Sequence, residues 1–466
     1  MNGPEAVREA LGDLIEPAMD AHRSELRRVS RGTAEWVAHP RSREDVVRVV
    51  LACAAARVPM VPYGGGTGLV GGQVSDGPPA LVVSLDRMTA IRGLWPEEGA
   101  IEVETGATLS DVQAAAEEAG LCFPLSLGSK GSARVGGLLA TNAGGTAVLR
   151  YGSMRDLTLG VEAVLADGSL LEGAKRLRKD NTGYDLRHLL IGSEGTLGIV
   201  TAATLRLVPP PRSVAAALLA VPSPRAALGL LARARRRVGD GVSGCELIDG
   251  QGLRWVAEHL PGVRRILDPI PDWSVLIEIG LFEGDASAVL EEVAADALAS
   301  GEAGNGAVSR SEAQRAAFWA LREAIPEASR AVGPIANHDV SVPLSEVPHL
   351  IEEGRAALSR IVPGLRFNTF GHAGDGNVHF NVFAPEGLGR CDHADIKPAL
   401  SAALYELVVG LGGSISAEHG IGRHKAAELA RLERPARLAA LRRIKAALDP
   451  HGLMNPGALL FPRSED

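Results

Sequence analysis

Between Pro62 and Gly72 the chain is crowded with glycine. Pro62-Tyr63-Gly64-Gly65-Gly66-Thr67-Gly68-Leu69-Val70-Gly71-Gly72 carries glycine at 64, 65, 66, 68, 71 and 72. Without Cβ atoms, successive amides can converge into an anion-binding nest that a diphosphate can approach closely. Gly66 to Gly71 also matches the G-x-G-x-x-G spacing of a nicotinamide-binding Rossmann turn. That fold needs a helix directly after the loop and an acidic residue about 20 residues on. Asp86 lies near that distance, but Gln73-Val74-Ser75-Asp76-Gly77-Pro78-Pro79 follows the loop and predicts no helix. Taken alone, the loop also fits a plain glycine-rich turn.

Three later segments share its texture. Ser126-Leu127-Gly128-Ser129-Lys130-Gly131-Ser132 leads through Val135-Gly136-Gly137 to Ala140-Thr141-Asn142-Ala143-Gly144-Gly145, and Ile191-Gly192-Ser193-Glu194-Gly195-Thr196-Leu197-Gly198-Ile199-Val200 follows. The chain has 55 glycines in 466 residues but only six lysines. A long anionic ligand is therefore expected to be held by backbone amides rather than by clustered charge.

Composition excludes several classes. A formal net charge of −8 offers no broad basic surface, so nucleic acid is not an expected partner. The cysteines at 53, 122, 245 and 391 form no CxxC pair, which argues against a disulfide framework and fits a reducing cytoplasm. The first 17 residues carry early acidic residues and no apolar core, so no signal peptide is expected. Apolar stretches such as 214–221 fall far short of a membrane span.

Short β-rich runs at 58–63, 81–85, 101–104, 161–165 and 198–207 alternate with glycine turns, after a helical lead over 5–30. Pro209-Pro210-Pro211 marks a boundary, because proline cannot donate to a ladder. Beyond it, 273–280 and 367–370 read as strands, and 223–238 and 345–361 as amphipathic helices. The arginines at 233, 235, 236 and 237 read as a solvated helix face. A glycine-rich strand and turn from 411 lead into an arginine-rich helix over 426–448.

A second cluster carries chemistry: Phe367-Asn368-Thr369-Phe370-Gly371-His372-Ala373-Gly374-Asp375-Gly376-Asn377-Val378-His379-Phe380-Asn381. Asp-Gly between two apolar runs predicts a hairpin with a two-residue turn. His372 would then face His379, and Asn381 would share their face. A structural hydrogen-bonded histidine pair is the alternative for the pair alone. Further on, Ser414-Ile415-Ser416-Ala417-Glu418-His419-Gly420-Ile421-Gly422-Arg423-His424 adds a carboxylate. Two histidines and a carboxylate make the ligand set of a catalytic divalent site with open positions. Glu418 and His419 can serve one site only if the chain turns there. His424 reads as a surface or helix-start residue.

The four loops in this order resemble the vanillyl-alcohol oxidase/p-cresol methylhydroxylase flavoprotein superfamily, in its D-2-hydroxyacid dehydrogenase branch, over about residues 40–460. The resemblance implies an α+β chain. A two-subdomain FAD-binding domain would cover 1–211, with a helical lead to about 40. An α+β substrate domain with an antiparallel sheet would cover 212–410, and a helical C-terminal segment over 411–466 would complete the active site. It implies non-covalent FAD, with Pro62, Gly64, Gly65, Gly66, Thr67, Gly68 and Leu69 at the pyrophosphate. Gly128, Ser129, Ser132, Gly136, Thr141, Asn142, Gly144 and Gly145 would line the flavin and ribityl chain, with Glu194, Gly198, Ile199, Val200 and Asn455 closing on the dinucleotide. Carried over in the same way, His372, His379 and Glu418 bind a divalent metal, zinc first. His419 is the base, Asn381 a catalytic neighbour and Arg322 the substrate-carboxylate arginine.

The implied reaction is oxidation of a D-2-hydroxy acid, foremost D-2-hydroxyglutarate, with glycolate or D-lactate as the alternative. A non-catalytic flavin electron-transfer subunit is the rival class. Asn337 and Pro326 stand where hydroxyglutarate-oxidising relatives carry Lys and Thr. Electron-transfer flavoprotein or a quinone-linked partner would accept the electrons, and a homodimer is compatible with the sequence.

Overall fold

The computed structural model describes residues 3–27, 29–389 and 395–461; Cys391 lies outside them. It divides into two compact units. The first comprises Met1–Gly145, Gly152–Pro209 and Glu418–Asp466, and the second comprises Thr146–Tyr151 and Pro210–Ala417.

The first unit holds two sheets. One has four strands in the order Ile15–Pro17, Trp36–Ala38, Leu81–Ser84, Met60–Tyr63, and its last three strands are parallel. Parallel strands need a crossover, and the helix Arg43–Ala56 carries the chain from Trp36–Ala38 to Met60–Tyr63, on the other side of Leu81–Ser84. Ser42 caps that helix by accepting from the Asp45 amide at 3.2 Å, and Arg57 ends it in the left-handed region. Val46, Val49, Val50 and Cys53 recur at helical spacing and are fully buried in one core with Met60 and Leu81. The crossover thus delivers the chain into Met60–Tyr63 so that the glycine loop leaves its carboxyl end, where α/β sheets bind ligands. The second sheet is antiparallel, in the order Ile91–Trp95, Ala100–Glu104, Ile199–Arg206, Thr158–Val164, Leu170–Gly173.

Two helical expectations need correction. The lead over 5–30 is not continuous: the helix Pro4–Leu11 stops at Gly12 (φ 51°), and Ile15–Pro17 pairs antiparallel with Trp36–Ala38. The C-terminal stretch 426–448 is two helices, Ala426–Leu432 and Pro435–Leu448. Pro435 pushes Arg434 to an extended conformation (φ −60°, ψ 134°) and so breaks the run. Nor is there a strand directly after 411; only Ser414 bridges to Ser341.

The second unit is built on a seven-stranded antiparallel sheet. Its order is Gly306–Val308, Ser213–Val221, Trp273–Leu281, Val242–Asp249, Arg366–His372, Asn377–Phe383, Ala336–Ser341. The long helix Glu312–Val332 covers one face. Its Phe318, Leu321 and Ile325 pack with Leu218, Leu276, Ile248 and Phe370 from alternate positions of four strands. The helix is anchored by Ser311, which accepts from the Gln314 amide, and by the left-handed Gly333 at its end.

Candidate active site and cofactor cradle

In the first unit the glycine loops meet. A Cβ on Gly65 would lie 1.9 Å from the Ser132 carbonyl oxygen, and one on Gly64 would lie 3.2 Å from Gly137 Cα. Gly145, at φ 110°, sits where a Cβ would be 2.1 Å from the Ser126 carbonyl oxygen. Residues 64–68, 126–137 and 142–145 are therefore one packed cradle, tight enough to require glycine at its contact points. The amides of Gly65 through Leu69 donate to no protein acceptor among the described residues, and the loop is half-buried. A row of half-buried orphan N–H groups on a turn suits the diphosphate of a dinucleotide. Pro62, at the end of its strand, leads into this row. No helix follows the loop, so the nicotinamide alternative fails.

The remaining cradle residues divide by role. Gly128 and Ser129 form an open turn, in which Ser129 accepts from the Ser132 amide at 2.9 Å. Gly136 donates to the Thr105 carbonyl at 2.8 Å and opens the helix Val135–Thr141. Asn142 ends that helix in the left-handed region and accepts from Ser153 Oγ and the Arg155 amide. Gly144 is buried beside it. The Gly145 amide donates to Glu418 Oε1 at 3.0 Å. Gly198 precedes Ile199 and Val200, which are buried in a central strand.

Glu194 and Asn455 turn inward to other backbone. Glu194, at φ 54°, accepts from the amides of Ile421 and Gly422 at 2.8 and 2.6 Å. Burial pushes its carboxyl above the ordinary range, against those two donors and the Lys425 and Arg423 charges. Asn455 donates to the carbonyls of Gly72 and Glu194, and its Oδ1 accepts from Arg423, which also holds the Gly71 and Gly72 carbonyls. Arg423 gave no sequence signal, yet it ties the glycine loop to the C-terminal segment. Glu418 and His419 lie in a bend before Gly420 (φ 81°), and the turn brings one atom of each side chain within 4.8 Å of the other. Neighbouring residues thereby converge, as a regular strand would forbid. His424 is exposed, with Ser30 Oγ 3.0 Å from its ring.

In the second unit the hairpin register differs from expectation. Phe370, not His372, is opposite His379, and the turn spans the four residues 373–376 instead of two. Gly371 and Gly376 (φ 156° and 87°) accommodate this wider turn, and a Cβ on Gly376 would lie 2.1 Å from the Val342 carbonyl oxygen. A slip of two residues preserves the face. His372 and His379 are therefore diagonal neighbours, with ring centroids 5.6 Å apart and one nitrogen of each within 4.8 Å of the other. Asn381 follows on the same face, opposite Asn368 on one side and the exposed Asn337 on the other.

Each histidine has a carboxylate behind it. His372 Nδ1 is 2.5 Å from Glu246 Oε1, and His379 Nδ1 is 3.6 Å from Asp339 Oδ1. Asp339 Oδ1 also accepts from Asn377 Nδ2 at 2.9 Å. Glu246 Oε2 receives Arg322 Nε at 2.8 Å and Nη2 at 2.7 Å. Burial alone would raise the Glu246 carboxyl, but the His372 ring and the Arg322 guanidinium outweigh it and hold the group down at about 2. Imidazoles backed by carboxylates present their other nitrogen as a lone pair, the arrangement that metal-binding histidines use. The donor set thus suits a divalent ion. Glu246 escaped sequence reasoning, although a charge in the middle of the apolar strand Val242–Asp249 was a usable signal. Burial pushes the Cys53 and Cys245 thiols up to about 12, so both are neutral and inert.

The profile described as FAD linked oxidases, C-terminal domain, matches residues 210–459, and that of an FAD binding domain matches residues 34–174. The chain belongs to the FAD-linked oxidoreductases, in the family that holds the D-2-hydroxyglutarate dehydrogenases. It is 38 % identical to the D-2-hydroxyglutarate dehydrogenase of Xanthomonas citri pv. viticola, over 91 % of this chain and 88 % of that one. It is 35 % identical to the mitochondrial D-2-hydroxyglutarate dehydrogenase of Arabidopsis thaliana, over 92 % of this chain and 76 % of that one. In fold it is similar to p-cresol methylhydroxylase (TM-score 0.76, 16 % identity, 99 % and 97 % covered). It also resembles the 4-ethylphenol oxidase of Gulosibacter chungangensis (TM-score 0.72, 16 % identity, 98 % and 97 % covered). Among the described residues no helix is long and apolar enough to cross a membrane.

Proposed function

We propose that this chain oxidises a D-2-hydroxy acid, D-2-hydroxyglutarate first, to the 2-oxo acid, using non-covalent FAD and a divalent metal. The observation that carries the reading is the His372/His379 pair with a carboxylate behind each ring. An electron carrier without a substrate has no need of such a pair. Relatives of this chain are named D-2-hydroxyglutarate dehydrogenases, which supports the substrate.

His372, His379 and Glu418 would hold the ion, zinc first, whose chemistry there is to polarise the substrate hydroxyl and lower its pKa. The chemistry that FAD supplies when bound is acceptance of the Cα hydride. The amides of Gly65 to Leu69 would hold its pyrophosphate. His419 takes the hydroxyl proton on its imidazole. Asn381 steadies a substrate oxygen by hydrogen bonding. Arg322 has Nε and Nη2 on Glu246, so Nη1 is the nitrogen it would present to a substrate carboxylate. Electron-transfer flavoprotein or a quinone-linked partner would then reoxidise the flavin, with the cytoplasm as the compartment.

One observation favours a second reading, in which the acid is glycolate or D-lactate. Asn337 can donate hydrogen bonds but offers no charge to a distal carboxylate, and Pro326 offers it no side-chain donor. Dye reduction with D-2-hydroxyglutarate, D-malate, D-lactate and glycolate, with and without exhaustive chelation, tests both. The expected result is turnover of D-2-hydroxyglutarate that chelation abolishes and zinc, manganese or cobalt restores. Turnover of lactate or glycolate alone would replace the substrate, and full activity without metal would refute the metal.

A further inference from the structure

We propose that Glu246 is a positioning residue that fixes the tautomer and ring orientation of His372 for metal binding, with Arg322 as the counter-charge that aims the carboxylate. This rests on the metal reading above.

Glu246 lies in the strand Val242–Asp249 directly opposite His372 in the adjacent strand. Its side chain is wholly buried under the helix Glu312–Val332. An unpaired carboxylate there would be untenable, so its partners define its purpose. One oxygen meets His372 Nδ1 at 2.5 Å, and the other meets two nitrogens of Arg322 in a two-pronged contact. Arg322 is itself pinned, with its guanidinium carbon 4.7 Å above the Phe370 ring. A carboxylate only accepts hydrogen bonds, so Nδ1 of His372 carries the hydrogen and the lone pair lies on Nε2. The ring can then neither flip nor exchange tautomer without breaking a buried contact. His379 Nδ1 lies 3.6 Å from an Asp339 carboxylate oxygen that also serves Asn377.

A carboxylate that merely cements helix to sheet would have the same partners but no influence on metal affinity. The test is zinc affinity of the FAD-loaded protein, measured by chelator competition in wild type and Glu246→Gln, with FAD stoichiometry as the control. Zinc binding is expected to weaken 10- to 100-fold at undiminished FAD content. Unchanged zinc affinity would overturn the inference. Because Glu246→Gln leaves a buried arginine without its counter-charge and can fail to fold, a second measurement uses the wild-type side chain. Nitrogen-15 imidazole spectra of the metal-free protein, with the His372 signal identified by its loss in His372→Ala, should show the Nδ1–H tautomer. An Nε2–H tautomer would overturn the inference whatever the variant does. A wild-type protein that takes up no zinc would overturn the metal reading itself and this inference with it.

Discussion

Replacing Gly65 with alanine is the sharpest test of the cofactor cradle. The new Cβ would sit 1.9 Å from the Ser132 carbonyl oxygen and 2.8 Å from its carbon. Both atoms are backbone, so no side chain can swing away. Restoring even a tight contact requires the loop to retreat by ~1 Å, a displacement that can cost about 100-fold where geometry matters. The same shift withdraws the amides of Gly65 to Leu69 from a diphosphate. A hydrogen bond to a charged group contributes about 1.5–3 kcal/mol, so losing two costs about 3–6 kcal/mol. FAD affinity should fall by about two to four orders of magnitude. The assay is flavin fluorescence titration of deflavinated protein, with bound FAD counted after gel filtration. Gly77→Ala is the control, since nothing lies within 4 Å of a Cβ there. A Gly65→Ala protein that holds FAD as tightly as wild type would show that the loop does not carry the pyrophosphate.

His419→Ala should keep FAD and metal but slow flavin reduction by about 100-fold or more, as stopped-flow at 450 nm would reveal; an unchanged rate would remove His419 as the base. The Glu194 carboxyl is raised by burial above its value of 4.5 in the open chain, so the unfolded state loses this proton first. Stability from this group should therefore decline as pH climbs from 4.5 through the folded value, and Glu194→Gln should flatten that slope in urea titrations. Asn337→Lys should improve kcat/KM for D-2-hydroxyglutarate relative to D-lactate by about tenfold, the worth of one modest charge-assisted contact; steady-state kinetics on both acids would check it.

The cradle was legible because glycine clusters announce close backbone approach, and Gly65 and Gly145 make such approaches. The shared face of His372 and His379 was legible because strand side chains alternate strictly, so even a misjudged turn left them together. The turn itself was not, since Asp375-Gly376 reads as a two-residue loop until the packing of Gly376 on Val342 is known. Glu246 and Arg322 are 76 residues apart, and nothing local in either segment predicts their pairing. Arg423 belongs with them: its partners, Gly71, Gly72 and Asn455, lie up to 352 positions away in the chain. Long-range polar closure leaves little imprint on local sequence texture, whereas glycine content and strand alternation do.

The first unit is assembled from both arms of the chain, and this has a consequence for how the protein is made. Met60 pairs with Met454, and Glu194 is satisfied by amides 227 and 228 residues downstream. A ribosome therefore releases the glycine loop long before its closing segment exists. Until residue 422 emerges the Glu194 carboxylate lacks its donors, and until residue 455 emerges nothing at that position can hold the Gly72 and Glu194 carbonyls. Flavin capture then becomes a late event in biosynthesis. A nonsense mutation ahead of codon 421 would yield a chain with every glycine loop present and none of these latches.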